Sequence, residues 1–300
     1  MAATLRRRLR TAAFRILMPG LQALLAPLPF AAVLACGRGL ARILWLCKAR
    51  ERRRMVEHLA LAFPALPAAE RRRLAKGSAL HHGMNLAENL HLLWRGPRRI
   101  LPRIAVEGWE EVAALHAAGR RILLLTGHCG NWELLAAVVP ARGLPLFGFG
   151  RGLEDPALQE AIVRLRERLG GSTIVRSASG SAGQLRRVLR GEGALAMFID
   201  QDTQVEGAWV PFFGRPAYTP LAAAQLSLRH RMAVVPAFLA RLPDGTHRCR
   251  FLPELGLPAD PVAATALMTR QIEEQIRRCP EQWVWMHRRW RRQPSADGAS

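Results

Sequence analysis

Short apolar runs without a polar interruption alternate with segments that carry helix signals, and this alternation restricts the fold more than any other feature. Arg121 to Thr126 (with Ile122-Leu123-Leu124-Leu125 inside it), Leu144 to Phe149, Thr173 to Val175, Ala194 to Ile199 and Ala233 to Leu239 each read as a strand. A strand with one face in water alternates apolar and polar residues. An unbroken run implies that both faces are covered, as in a parallel sheet between helices. The intervening segments supply those helices. Asp155-Pro156 is an N-cap followed by proline at the first helical position, and the pattern runs to Leu169, where Gly170 and Gly171 stop it. Further helices are expected over Gln184 to Arg190, from Thr219-Pro220 to Arg229, and from about Pro261 to Cys279, with His247 to Leu252 pairing beside the last strand. The expected class is α/β, a mostly parallel or mixed central sheet flanked by helices. Ahead of it, Ala49 to Trp94 reads as helical and basic, broken near Phe63-Pro64 and Pro67.

Charge narrows the partners. The 300 residues carry 44 Lys+Arg against 23 Asp+Glu, a formal net charge of +21, and Lys48 and Lys76 are the only lysines. Such an excess predicts attraction to a polyanion: nucleic acid, an anionic membrane surface or an acidic carrier protein. From Ile16 to Gly37 no charged residue occurs, a length sufficient to span a bilayer core of about 20 residues. Arginines flank this stretch on both sides, and no small-residue cleavage site follows, which argues against a secretory signal. Residues 1–48 are therefore expected to associate with a membrane, 49–292 to form the catalytic domain, and 293–300 to be a disordered tail. A nucleic-acid-binding protein would explain the charge but not the apolar N-terminus, and one tyrosine, Tyr218, leaves few stacking platforms beyond Trp and Phe. The five cysteines are scattered, with no CxxC pair, so free thiols and no metal site are expected.

The densest chemical signal is Thr126-Gly127-His128-Cys129-Gly130-Asn131-Trp132-Glu133. Five helical steps would separate His128 and Glu133 by about 140°, but the glycines break any helix through both. The segment reads as strand, tight turn and new helix, with Asn131 as N-cap and Glu133 in the first turn. The turn is expected to fold the imidazole against the Glu133 carboxylate, which would hold one ring nitrogen and leave the other to take a proton. Cys129 adjoins His128, but neighbours in a turn diverge, so no Cys–His nucleophile pair is expected. No GxSxG elbow is present. In open α/β sheets the site lies beyond the carboxyl ends of strands, and His128, Arg151 and Asp200 each follow one.

Four blocks in order now matter: TGHCGNWELL; Gly150-Arg151 with the Asp155-Pro156 helix bearing Arg164, Arg166 and Arg168; Met197 to Asp202 with Val210-Pro211-Phe212-Phe213-Gly214-Arg215-Pro216-Ala217; and Pro280 to Trp290. Together the blocks resemble the late acyltransferases of lipid A biosynthesis (lauroyl/myristoyl type) within the lysophospholipid acyltransferase-like group. Phosphatidylinositol mannoside acyltransferases share much of the pattern. The resemblance implies a glycerol-3-phosphate acyltransferase-like fold at the bacterial inner membrane, facing the cytoplasm. It implies transfer of a fatty acyl chain from an acyl carrier protein or CoA thioester to a hydroxyl of an anionic membrane glycolipid, without a cofactor. His128 would be the general base and Glu133 its orienter. Backbone N–H groups near Asn131 and the Arg166 side chain would receive the oxyanion, Arg151 a lipid phosphate, and Asp200 would hold the site together or, with Asp202, bind metal. Phe212 and Phe213 are expected in an acyl groove or the core, and Trp283, Trp285 and Trp290 at a membrane interface or bracing the last helix.

Overall fold

In the computed structural model, residues 18–150, 152, 155–175 and 180–293 are described. Seven strands form one mixed sheet. In chain order they are β1 (Ile104–Glu107), β2 (Ile122–Thr126), β3 (Leu146–Gly150), β4 (Ser172–Val175), β5 (Ala194–Phe198), β8 (Ala233–Arg241) and β9 (His247–Phe251). Their spatial order is β1-β9-β8-β2-β5-β3-β4. All neighbours run parallel except β8 and β9, which form an antiparallel hairpin. The remaining pair, β6 (Gly207–Phe212) and β7 (Arg215–Pro220), is a separate antiparallel ribbon.

The helices are α1 (Phe30–Cys47), α2 (Ala49–Ala62), α3 (Ala68–Arg95), α4 (Trp109–Ala117), the single turn α5 (Leu135–Val138), α6 (Pro156–Leu169), α7 (Ser181–Leu189), α8 (Ala222–His230) and α9 (Pro261–Arg278). The apolar runs behave as their pattern requires. Leu123, Leu125, Leu195 and Met197 point into one core with Met268, Ile272, Trp283 and Trp285, while Ile122, Leu124, Ala194 and Ala196 point into a second with Val112, Leu134 and Leu165. With successive side chains on opposite faces, a strand covered on both sides has no position for a polar residue.

Three segments lack a continuous helix. The apolar stretch breaks at prolines that argue against a single ideal helix: a helical segment over residues 18–25 ends at a turn around Pro27 and Pro29, and α1 begins at Phe30. Helix α1 is the one described helix long and apolar enough to cross a membrane. It crosses α3 where two glycines meet, and a Cβ on Gly83 would lie 2.4 Å from the Gly37 carbonyl oxygen and 2.5 Å from the Ala41 Cβ. Second, Thr219-Pro220 does not open a helix; both residues end β7, and α8 starts at Ala222. The β6–β7 turn is Phe213-Gly214, both at positive φ (53° and 70°), as a two-residue hairpin loop demands. Third, the helix expected from Asn131 is a three-residue 3-10 turn (Trp132–Leu134) followed only by α5.

Candidate active site

Strands β2 and β5 lie side by side with Thr126 opposite Phe198. His128 and Asp200 each stand two residues beyond that pair, so parallel pairing alone delivers them to the same edge. The His128 Nδ1 lies 2.8 Å from Asp200 Oδ1, and the His128 backbone N–H donates to Asp200 Oδ2 at 2.8 Å. Trp283 Nε1 donates to the same Oδ2 at 2.8 Å. Burial pushes the Asp200 carboxyl up, but its electrostatic interaction with the His128 imidazole and these hydrogen bonds outweigh it and hold it at about 2. A fixed carboxylate on Nδ1 sets the tautomer in which Nε2 is the free, basic nitrogen. The His128 side chain is 20% exposed, and its ring sits between Trp132 and Phe198, with centroids 4.9 and 4.7 Å away.

This corrects the expected partner of the imidazole, which is Asp200 and not Glu133. Glu133 is engaged elsewhere. Arg166 on α6 grips it with both arms, Nε to Oε2 at 2.7 Å and Nη2 to Oε1 at 2.9 Å, and Trp132 Nε1 donates to Oε1 at 3.0 Å. Burial pulls the Arg166 pKa down, but Glu133 outweighs it and the net shift is upward. Arg166 Nη1 has no hydrogen-bond partner among the described residues. The turn explains the exchange of partners: with no helix of useful length after Asn131, Glu133 drops beneath the sheet edge toward α6.

Asn131 does not cap. Its side-chain amide donates to Glu88 Oε2 at 2.6 Å and Asn89 Oδ1 at 2.8 Å. Glu88 is the hub of a buried polar cluster that the sequence reading missed. Arg241 forks onto it, His247 Nε2 lies 2.9 Å from Oε1, and its carboxyl is held at about 2 because its interactions with His247 and Arg241 outweigh the cost of burial. Asn85 completes the brace by donating to the Gly130 carbonyl at 2.7 Å. A signal existed: Ser78, His81, Asn85 and Glu88 recur at three- and four-residue steps, a spacing that points these polar side chains the same way.

Gly130 adopts φ +62°, and a Cβ there would lie 1.9 Å from the Leu239 carbonyl oxygen, so the turn closes against β8 only with glycine. The C-terminal block seals the other side. Gly130 N–H donates to the Gln282 carbonyl at 3.0 Å, and Cys129 bridges Trp283. Trp283 and Trp285 are fully buried and Trp290 nearly so; they brace the core rather than face a membrane. Phe212 and Phe213 pack among them in the core. Asp202 pairs with Arg291 and Arg292, and its N–H donates to His287 Nε2 at 2.9 Å. Cys129 is buried, and desolvation pushes its thiol well up, which makes it inert. Arg151 lies outside the described residues.

An apolar groove of about 290 Å³ runs between α1 and α3, walled by Leu44, Leu86, Met55, Met286 and His82. The His82 ring is 6.3 Å from Trp132, whose ring in turn contacts His128.

A braced imidazole with one free nitrogen, at the mouth of an α/β sheet and beside an apolar groove, is an arrangement suited to an enzyme that moves a proton next to an apolar chain. Comparison with known proteins makes this specific. The profile of bacterial lipid A biosynthesis acyltransferases matches residues 2–292, and the chain belongs to that family. It is 28% identical over 277 residues to the lipid A biosynthesis lauroyltransferase of Escherichia coli K12, covering 90% of this chain and 89% of the relative. It is 28% identical to the palmitoleoyltransferase of the same organism, covering 81% and 79%. A phosphatidylinositol mannoside acyltransferase of Mycobacterium tuberculosis H37Rv is 24% identical, covering 64% and 61%. The chain is thus an acyltransferase enzyme whose relatives act in glycolipid synthesis.

Proposed function

We propose that this acyltransferase moves a fatty acyl chain from an acyl carrier protein thioester, or a CoA thioester, to a hydroxyl of a lipid A precursor. The reaction takes place at the cytoplasmic face of the bacterial inner membrane, with α1 in the bilayer. His128 Nε2 accepts the hydroxyl proton as the oxygen attacks the thioester carbonyl. Asp200 stabilises the imidazolium. The tetrahedral oxyanion forms against the Arg166 Nη1, which Glu133 aims. The C–S bond then breaks, and the thiolate leaves with the proton from His128. The thioester supplies the driving force, so no cofactor enters the scheme. The α1–α3 groove, which ends at His82, one ring away from Trp132, takes a chain of the lipid acceptor.

The observation that carries this reading is the 2.8 Å contact from His128 Nδ1 to Asp200 Oδ1, which leaves Nε2 as the unpaired nitrogen. The test is to supply the purified chain with acyl carrier protein and CoA thioesters, with a phosphorylated lipid A precursor or phosphatidylinositol mannoside as acceptor, and to weigh the products by mass spectrometry. Acylated lipid A precursor, lost in a folded His128→Ala variant, is expected. Undiminished transfer by that variant would remove the mechanism.

A further inference from the structure

Beside the groove lies a second, larger cleft of about 890 Å³ between α2 and α3 that no catalytic step uses. Arg52 and Arg53 face it from α2, Arg72, Arg73 and Lys76 from α3, and Trp45 closes its rim, with Glu57 as the sole acidic residue in its lining. Local pairing leaves much of this charge unspent. Arg53 bonds Glu57, Arg73 bonds Glu70, and Arg52 turns onto the Trp45 carbonyl. Arg72 and Lys76, one helical turn apart and both exposed, have no hydrogen-bond or ion-pair partner among the described residues. Cations facing each other across a concavity repel, and a bound anion removes that cost.

The cleft's position selects the anion. Trp45 belongs to the last turn of α1, where Ile43 is 60% and Leu46 75% exposed, an apolar face of the kind a membrane interior covers. A basic helix directly after such a segment, with tryptophan at the junction, stands at headgroup level. Trp45 and Arg52 also line the apolar groove, so the two cavities share a wall. A molecule that puts a chain in one and a phosphate in the other is a phosphorylated lipid.

We infer that the α2–α3 cleft is a phosphate-binding site for the headgroup of an anionic membrane lipid, with Arg72 and Lys76 as the cations that meet it. This deepens the proposed lipid-acceptor reading but is tested apart from it, because binding is read without turnover. The full chain in neutral detergent is titrated with dihexanoyl phosphatidic acid, with dihexanoylglycerol and with acyl carrier protein, both as the native sequence and as Arg72→Gln/Lys76→Gln. Native protein is expected to prefer the phosphatidic acid. The double variant is expected to lose about 30-fold in affinity for it, the effect of about 1 kcal/mol for each juxtamembrane cation. Affinities for dihexanoylglycerol and the carrier protein should stay unchanged, as should the melting temperature, since both residues are exposed. Equal binding of the two lipids by the native chain overturns the site. So does unchanged phosphatidic acid affinity in the variant, or a loss that falls on the carrier protein as much as on the lipid.

Discussion

Asp200 carries three donors on two oxygens, which makes it intolerant of the mildest substitution. In Asp200→Asn the amide NH2 must face either the His128 N–H and Trp283 Nε1 or the imidazole, and in each case donor meets donor. We expect a turnover loss of about a thousandfold or more from the mis-set tautomer, together with destabilisation of about 2 kcal/mol from unpaired buried groups. Steady-state rates and thermal melts read the two effects separately. Glu133 and Arg166 should behave as one unit. Glu133→Gln and Arg166→Gln are each expected to lower turnover about a hundredfold, and the double variant scarcely further, so that a double-mutant cycle shows strong coupling. Full additivity would mean that the two residues act on different steps. At this scale the sequence revealed which residues gather but not who holds whom. His128, Glu133, Arg166 and Asp200 were all marked, yet pairing depends on where the turn drops each side chain, and the turn depends on Gly130 meeting a carbonyl on β8, more than 100 residues away.

The central elements were legible because their signals are local. Proline and aspartate start α6 and α9, where Asp155 accepts from the Ala157 N–H and Asp260 from the Ala263 N–H, and Gly170 stops α6 at φ 104°. What escaped was set from outside. Strand β1 is four residues at the sheet edge with half its side chains in water, so no apolar run announces it. The β6–β7 ribbon turns on Phe213-Gly214, without the Asn or Asp that usually marks such a loop. The α1–α3 crossing is encoded only by two distant glycines. Gly83→Leu should therefore force the helices apart, at a cost of about 1–3 kcal/mol. Limited proteolysis should then cut near residues 47–49 while the sheet remains protected; an unchanged digestion pattern would show that the helices can part without loss.

Across the whole molecule, buried titratable groups predict how stability follows pH. Desolvation holds His58, His81, His82 and His287 below the ordinary imidazole value, His287 at about 4. The unfolded chain takes up these protons first as pH falls, so the stability the histidines contribute is whole above about 6.5 and declines toward about pH 4. Asp200 and Glu88, both held at about 2, have the opposite partner preference, and their contribution is lost below about pH 4, as pH falls toward 2. The melting temperature should thus drop in two stages on acidification. His287→Gln, which can still accept the Asp202 N–H but does not titrate, should flatten the upper stage; an identical curve would place that stage with other groups.

The indole of Trp283 on Asp200 also imposes an order in time. Translation delivers α1 first and the tryptophan that steadies the carboxylate some 236 residues later. A growing chain thus carries its long apolar helix well before the His128–Asp200 contact has its final donor, and a polypeptide halted after Cys279 would hold His128, Glu133, Arg166 and Asp200 with that carboxylate short of one of its three hydrogen bonds. The last stretch to be made completes the site.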